Sequence, residues 1–280
     1  MANRSFERAK DGFRQDRIAT ICLVLLAILI LLSLFAFLSP HDPDAIDLGH
    51  VSELPGRVHW FGTDDLGRDY LTRALYGGRV SLAVGFLAML ISTTIGVVVG
   101  TVSGFLGGLT DNLLMRAVDV LSSIPWMILV TVISIYLTPG LRAIIIVIGL
   151  FTWMRIARLV RAETLSIKER EYVLYAQASG QSSRRIIVKH ILPSVMPTVM
   201  VAASLAIANA ILIESALSFL GLGVKQPMAS WGSMLQNAQS NLDSAPHLAF
   251  IPGLFIIATV YAFNQVGDVL RRFVEPRSMR

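Results

Sequence analysis

Two polar side chains lie inside an apolar stretch of this chain, and their chemistry is the first clue to its function. Glu214 and Asn209 fall in the apolar run 195–217. An ionisable group within a membrane span is costly to bury, so Glu214 is by default a candidate functional residue. The alternative is an ion pair with an arginine of a partner subunit or of a loop, such as Arg142. Asn209 lies one turn deeper and is expected to bond across helices.

Catalytic and nucleotide-binding patterns are missing from the sequence. No G-x-x-x-x-G-K-[ST] occurs, and the glycine-rich run 221–225 lacks that spacing. No nucleophile, base and orienting group assemble in the sequence pattern. His41, His50 and His59 recur every nine residues and could mark a metal substrate, but chance spacing in a loop is the favoured interpretation. We therefore predict no catalytic residue, no metal site and no cofactor bound by this chain.

The composition is that of an integral membrane protein. The chain has 280 residues, of which 54% are hydrophobic and 15% are charged, whereas a soluble domain carries about a quarter charged residues. The net charge is +5, and the basic residues flank apolar spans, which favours orientation in lipid over nucleic-acid binding. Cys22 is the single cysteine, which excludes a disulfide framework and a cysteine-based metal site.

The apolar runs predict an all-α integral membrane protein with six transmembrane helices. About 20 residues cross ~30 Å of hydrocarbon. The fourth run is shorter, so its helix is expected to continue into the cytosol through Arg155, Arg158 and Arg161. The predicted spans fall near 18–38, 80–105, 117–137, 143–154, 195–217 and 249–269.

The distribution of basic residues predicts the orientation of these spans. With the N-terminus inside, the inner segments hold eighteen of the 24 lysines and arginines, as the positive-inside rule requires. Both termini are then cytoplasmic. The predicted organisation is a cytoplasmic N-terminus with the first helix (1–38), an extracytoplasmic loop with an amphipathic segment (39–77), a five-helix membrane core (78–270) with a cytoplasmic loop (155–194), and a cytoplasmic tail (271–280).

Small residues recur every four positions along the second span. Such a stripe lets two helix backbones approach closely, which is how helices associate in lipid. Its members are Ala88, Ser92, Gly96, Gly100, Gly104 and Gly108.

A polar, basic segment at 171–193 separates two apolar spans. It predicts a short helix that Gly180 ends in the left-handed conformation. Ser182 or Ser183 can cap a second helix, and Pro193 marks the entry to the next span. The alternative is an amphipathic loop lying on the membrane surface. The apolar face of the short helix is predicted to comprise Tyr172, Val173, Ala176 and Gln177.

The spacing from Gly180 to Leu192-Pro193, with eleven intervening residues, resembles the cytoplasmic "EAA" loop of permease subunits of bacterial ABC importers. In that family the loop forms a short helix, a glycine turn and a second helix that dock on a separate ATPase. The leading Glu-Ala-Ala falls on 174–176, so only Ala176 matches. The resemblance implies an ATPase-coupling role for Glu171, Tyr172, Ala176, Ala178, Gly180, Leu192 and Pro193.

Three further segments are similar to permeases of the dipeptide, oligopeptide and nickel type (DppC, OppC and NikC). They lie at 62–69, at 211–235, and at 262–268 with Arg271 and Arg272. Within the second, the apolar stretch 218–223 is too short to span, and a re-entrant or interfacial segment facing the pore fits it. Glu214, Asn209 and Ser218 are therefore the candidates for the translocation path.

This resemblance implies a type I ABC importer permease fold in a bacterial cytoplasmic (inner) membrane. The expected partners are a second permease subunit, two ABC ATPases that bind ATP and Mg²⁺, an extracytoplasmic substrate-binding protein and membrane lipid, without nucleic acid. The expected cargo is a di- or oligopeptide, and the alternative is nickel or a metal chelate. A secondary transporter or channel without an ATPase is less favoured, because it would require inverted repeats or buried ionisable groups at mid-membrane.

Overall fold

A computed structural model describes residues 16–136 and 140–274 of the protein. The predicted cytoplasmic segment before the first helix (1–15) and the end of the predicted tail (275–280) lie outside these residues. The described part consists of helices joined by turns and one longer loop. Its α-helices are α1 (Arg17–Leu34), α2 (Tyr70–Leu106), α3 (Gly108–Ser123), α4 (Trp126–Tyr136), α5 (Leu141–Lys168), α6 (Glu171–Ala178), α7 (Ser183–Ile186), α8 (Leu192–Phe219), α9 (Trp231–Ala238) and α10 (His247–Val274).

Five helices among the described residues are long and apolar enough to cross a membrane. They are α1, α2, α5, the continuous helix Ser183–Phe219 that joins α7 to α8, and α10. The only β-pairing in the described ranges is a single bridge between Thr63 and Asp69. The prediction of an all-α, multi-pass membrane protein is confirmed.

The third predicted span, 117–137, is divided into two helices. α3 ends at Ser123 and α4 begins at Trp126. Ile124 between them is extended, with φ −82° and ψ 124°, because a residue that precedes proline is pushed out of the helical region. Pro125 also lacks the N–H that would continue the helix. A hydropathy window averages over such a break, so the sequence analysis missed it.

The order of contacts shows that α3 runs antiparallel to α5. Near the start of α3, Asp111 Oδ2 accepts a hydrogen bond of 2.6 Å from Arg161 Nη2. Further along, Asp119 Oδ1 lies 3.0 Å from Arg158 Nη2, while Arg158 precedes Arg161 in sequence. The third predicted span thus consists of two shorter helices, neither of which is among the five candidate spans of the described residues. The helix α5 runs on to Lys168 as expected.

The predicted small-residue stripe of α2 packs against α5. A Cβ atom at Gly96 would lie 2.7 Å from Ile156 Cβ, and one at Gly100 would lie 2.6 Å from the carbonyl oxygen of Ala157. Real Cβ atoms essentially never come this close to another heavy atom, so only glycine permits the approach. Gly108 does not belong to this contact, because it opens α3 and has open space around it.

The predicted amphipathic segment of the outer loop is the beginning of α2 itself. The helix starts at Tyr70, and Asp69 caps it by accepting a hydrogen bond from the Thr72 backbone N–H. Buried Arg73 then ties the helix to the loop, with its Nη1 3.1 Å from Asp44 Oδ1 and its Nε 3.4 Å from Asp64 Oδ2. The loop predicted to lie on the outer side, here called the outer loop (residues 39–69), is thereby anchored to α2.

We predict that Gly100→Ala lowers the thermal stability of the detergent-solubilised chain. The added methyl group would overlap the Ala157 carbonyl, and overpacking of this kind costs about 1–3 kcal/mol. Gly253→Ala is the matched control, because a Cβ there meets nothing within 4 Å and alanine favours a helix by up to about 1 kcal/mol. Equal shifts in the unfolding temperatures of the two variants would contradict close α2–α5 packing.

Candidate functional site

The segment predicted to lie on the inner side, here called the inner segment (residues 171–194), begins with α6 and a glycine turn. The N–H of Gly180 bonds to the Gln177 carbonyl at 3.0 Å, and the N–H of Gln181 bonds to the Ala176 carbonyl at 3.2 Å. Gly180 itself has φ +73°. These are the bonds of a Schellman motif, which needs a left-handed residue where glycine is the least strained. The predicted short helix and glycine turn are confirmed.

The buried face of α6 differs from the predicted one. Val173 and Ala176 are buried, at 0% and 2% exposure, whereas Tyr172 and Gln177 are exposed. The two buried residues join a core cluster with residues of α5 and α8, among them Val160 and Val195. The prediction of one apolar face through Tyr172, Val173, Ala176 and Gln177 is therefore wrong. Ala176 is small because α6 packs closely on its own chain.

The opposite face of α6 presents apolar side chains to the outside. Tyr175 is 76% exposed and Leu174 is 46% exposed. Sequence reasoning missed these two residues. The sequence feature that could have identified them is the position of an aromatic and an aliphatic residue on the helix face opposite the buried pair, Val173 and Ala176. Glu171 and Ala178 are exposed as well, at the two ends of the same helix.

The rest of the inner segment leads into the next span without a break. Ser182 occupies the N-cap position of α7, although its side chain makes no capping bond. A π-helical stretch, Ile187–Ile191, joins α7 to α8. Leu192 and Pro193 open α8 directly after this stretch, so the proline, which lacks an N–H, stands where the continuous helix passes from π to α geometry.

A hydrogen-bonded contact fastens α6 to α8. Ser194 Oγ donates to the His190 carbonyl at 2.7 Å, and the Tyr172 hydroxyl lies 3.0 Å from Ser194 Oγ. Exposed basic residues border this contact, so the segment combines apolar and positive surface. They are Arg184, Arg185 and Lys189.

At the other end of α8, Glu214 lies fully buried in a cluster of serines. Ser81 Oγ on α2 donates to its Oε2 at 3.0 Å, and Ser218 Oγ donates to its Oε1 at 2.7 Å. In the described part of the chain its hydrogen-bond partners are serine hydroxyls. Arg142 is exposed and is not among them. The carboxylate therefore holds helices together at this end of the chain.

The segment after α8 folds tightly over this cluster. The backbone N–H of Val224 donates to Ser218 Oγ at 3.2 Å, and that of Trp231 donates to Ser81 Oγ at 3.2 Å. A Cβ at Gly223 would lie only 2.0 Å from Ser218 Oγ. The predicted pore-facing segment 218–223 is thus the end of α8 and a turn, and Ser218 is buried within it.

Asn209 is the one translocation-path candidate of the three that is exposed. Its side chain makes no hydrogen bond to other described residues, so the expected bond across helices within this chain is not formed. An exposed amide in a membrane span requires a polar partner, either in a second subunit or in a water-filled path. The structure brings Glu214 and Ser218 together and leaves Asn209 apart from them.

Comparisons with known proteins give a consistent picture. Residues 96–280 match the family model described as "binding-protein-dependent transport system inner membrane component", and residues 6–55 match "N-terminal TM domain of oligopeptide transport permease C". The chain is 39% identical to the oligopeptide transport system permease protein OppC of Bacillus subtilis (strain 168), over 99% of this chain and 92% of that protein. It is 40% identical to the dipeptide transport system permease protein DppC of the same organism, over 99% and 88%.

A solved structure shares the fold. A chain of the MetNI methionine ABC transporter, in an inward-facing conformation, matches with a TM-score of 0.59 and 20% sequence identity. The match covers 73% of this chain and 97% of that chain. The similarity confirms the predicted importer permease fold.

We predict that Glu214→Gln leaves the chain stably folded, because the amide oxygen and amino group can still bond to the hydroxyls of Ser81 and Ser218. Glu214→Met should lower the free energy of unfolding by about 1–3 kcal/mol, since both hydroxyls lose their buried acceptor. Thermal unfolding in detergent, together with uptake by cells, checks both variants. A loss of uptake in Glu214→Gln at unchanged stability would contradict the structural role.

Proposed function

The chain belongs to the family of binding-protein-dependent transport system inner membrane components, and we propose that it is a transmembrane subunit of an ATP-driven importer of di- and oligopeptides. It performs no covalent chemistry. It forms half of a translocation path with a second permease subunit, and partner ATPases bind ATP and Mg²⁺. A binding protein on the outer side delivers the cargo.

The observation that carries this proposal is the exposed apolar face of α6. An aromatic and an aliphatic side chain, Tyr175 and Leu174, stand out from a helix whose other face is fixed by Val173 and Ala176. Short helices with such a face bind in apolar grooves of partner proteins. Because α6 is packed against α5 and α8, a movement of the partner would be passed to the membrane helices.

The names of the relatives support a peptide as cargo. They are called oligopeptide and dipeptide permeases, and the alternative cargo of nickel or a metal chelate has no comparable support. The path itself would run between the two permease subunits. Asn209 is the polar group in the middle of α8 that can face it, whereas Glu214 would hold the helices at one end. Alternating access then follows from rigid-body movement of the two subunits.

A secondary transporter fits the described residues less well. Such proteins place ionisable groups and broken helices around a site near the bilayer midplane. Here the ion pairs of α5 lie in its second half, at Arg158 and Arg161, and Glu214 is enclosed by serines. On the proposed inner side, the largest polar segment is the inner segment, which contains the docking helix α6.

We predict that Tyr175→Glu uncouples the transporter. Removal of an aromatic contact at the centre of an interface costs about 2 kcal/mol or more, which corresponds to roughly thirtyfold weaker docking. Substrate-stimulated ATPase activity and peptide uptake should fall together, while the two permease subunits still co-purify. Both activities are measured on the complex reconstituted in lipid vesicles.

Leu109→Glu is the control for this experiment. Leu109 is 75% exposed and follows the end of α2, so the substitution places the same charge on an equally exposed apolar site. We expect it to retain both activities. Wild-type activity in Tyr175→Glu would contradict a docking role for α6.

The proposed inner-membrane topology has its own test. Single cysteines at Asp47 and Ser240 should react with an impermeant thiol reagent in intact cells, and one at Ser182 should not, once Cys22 is replaced by alanine. All three chosen positions are exposed, so labelling reports the side of the membrane and not burial. The reversed pattern would contradict cytoplasmic termini.

A further inference from the structure

A group of three metal-ligating side chains lies where the outer loop meets α2. His41, His59 and Asp69 each offer one ligand atom, and these atoms all lie within 4.8 Å of one another. His59 Nδ1 is 2.9 Å from Asp69 Oδ1, and the two imidazole rings have their centroids 5.0 Å apart. Asp69 is buried, and both histidines are partly exposed.

The carboxylate of Asp69 is oriented by the first turn of α2. Thr72 donates two hydrogen bonds to Asp69 Oδ2, from its backbone N–H at 2.8 Å and from its hydroxyl at 2.6 Å. These bonds leave Oδ1 directed towards His59. An aspartate is ionised at neutral pH, and its Oδ1 is the oxygen that faces His59. The group can therefore act as an anionic ligand.

A chain of hydroxyl groups fixes His41 beside this carboxylate. Ser39 Oγ lies 2.5 Å from Thr72 Oγ1, and the backbone N–H of His41 donates to Ser39 Oγ at 3.4 Å. The residue that orients Asp69 thus also positions the segment that carries His41. Outer-shell contacts of this kind are typical of metal sites, because they orient the ligands in advance.

We propose that His41, His59 and Asp69 bind a divalent transition-metal ion of the Zn²⁺ class. Two imidazoles and one carboxylate suit Zn²⁺, whereas Ca²⁺ and Mg²⁺ take oxygen ligands. Ligands of a tetrahedral Zn²⁺ lie about 3.3 Å apart, so His59 and Asp69 are almost in place. Rotation of the partly exposed His41 ring closes the remaining gap. A water molecule or a fourth ligand completes the coordination.

The surrounding charge favours a cation. Between residues 39 and 69 there are seven acidic and two basic side chains, so the outer loop carries a negative field that offsets the positive end of the α2 dipole. His50, the other histidine of the nine-residue series, is not part of the site. It pairs with Asp47 at 2.9 Å on the exposed side of the loop.

The ion would fasten the outer loop to the membrane core. His41 follows the first span and Asp69 caps the second, so one ion ties both ends of the loop to its middle at His59. A site absent from the unfolded chain stabilises the folded one when metal binds. Metal binding at this site would depend neither on the cargo nor on coupling to an ATPase. The sequence analysis predicted no metal site because it considered only the three histidines, whereas the third ligand is Asp69.

Zn²⁺ titration of the purified transporter tests the proposal. The complex is prepared without a polyhistidine tag, stripped with a chelator and titrated against a chromophoric competitor. We expect one more Zn²⁺ equivalent per chain in the wild type than in His41→Ala or His59→Ala. The affinity of the site should fall about 100-fold or more in these variants, since loss of an outer-shell partner alone costs 10- to 100-fold. Asp69→Asn keeps a capping side chain and should weaken binding as well.

His50→Ala is the matched control and should retain the full affinity. Zn²⁺ should raise the unfolding temperature of the wild type and of His50→Ala but not of His41→Ala, and Ca²⁺ should raise none of them. Equal Zn²⁺ binding by wild type and His41→Ala would overturn the proposal. Loss of binding in His50→Ala alone would also overturn it, because it would assign the ion to the exposed group of Asp47, His50 and Glu53.

Discussion

The close approach of α2 and α5 is the contact on which the rest of the chain depends. In lipid the hydrophobic effect does not drive helices together, so association rests on packing and polar contacts. Gly96 and Gly100 bring the backbone of α2 against α5 at distances that no side chain permits. α2 carries the anchored outer loop at its first residue, and α5 leads to α6 at its last. The two ends of the molecule are thereby joined through one rigid helix pair.

The two ends differ in what they expose. At the C-terminal end of α8, Glu214 and its serines are enclosed, and the turn at Gly223 closes over them. Near the N-terminal end of α8, α6 is fixed by one face and leaves the other free, with Tyr175 the most exposed of its large hydrophobic side chains. Well-packed contacts transmit displacement because they have little room to deform. A force on the free face of α6 would therefore reach α5 and α8 directly.

The sequence predicts features that depend on local geometry. Gly180 was identified because a left-handed residue that ends a helix is nearly always glycine or asparagine, and the α2 stripe because close packing requires small residues. Which face of α6 is buried could not be predicted, because helical spacing alone does not show which side of a helix packs against the chain's own core. Of the two serines that bond to Glu214, Ser218 lies four residues away, but Ser81 could not be predicted because it is 133 residues away in the sequence. The break at Pro125 was visible in the sequence, but an apolar window outweighed it.

Site-specific cross-linking at α6 tests the central claim most directly. Cysteines are placed singly at Tyr175 and Ala176 in a chain whose Cys22 is replaced, and a short thiol-to-amine cross-linker is applied to native membranes. The account predicts that the cysteine at 175 links this chain to an ATPase subunit, whereas the cysteine at 176 does not, because Ala176 is only 2% exposed. Equal linking from both positions, or none from 175 in a complex that still contains the ATPase, would contradict it.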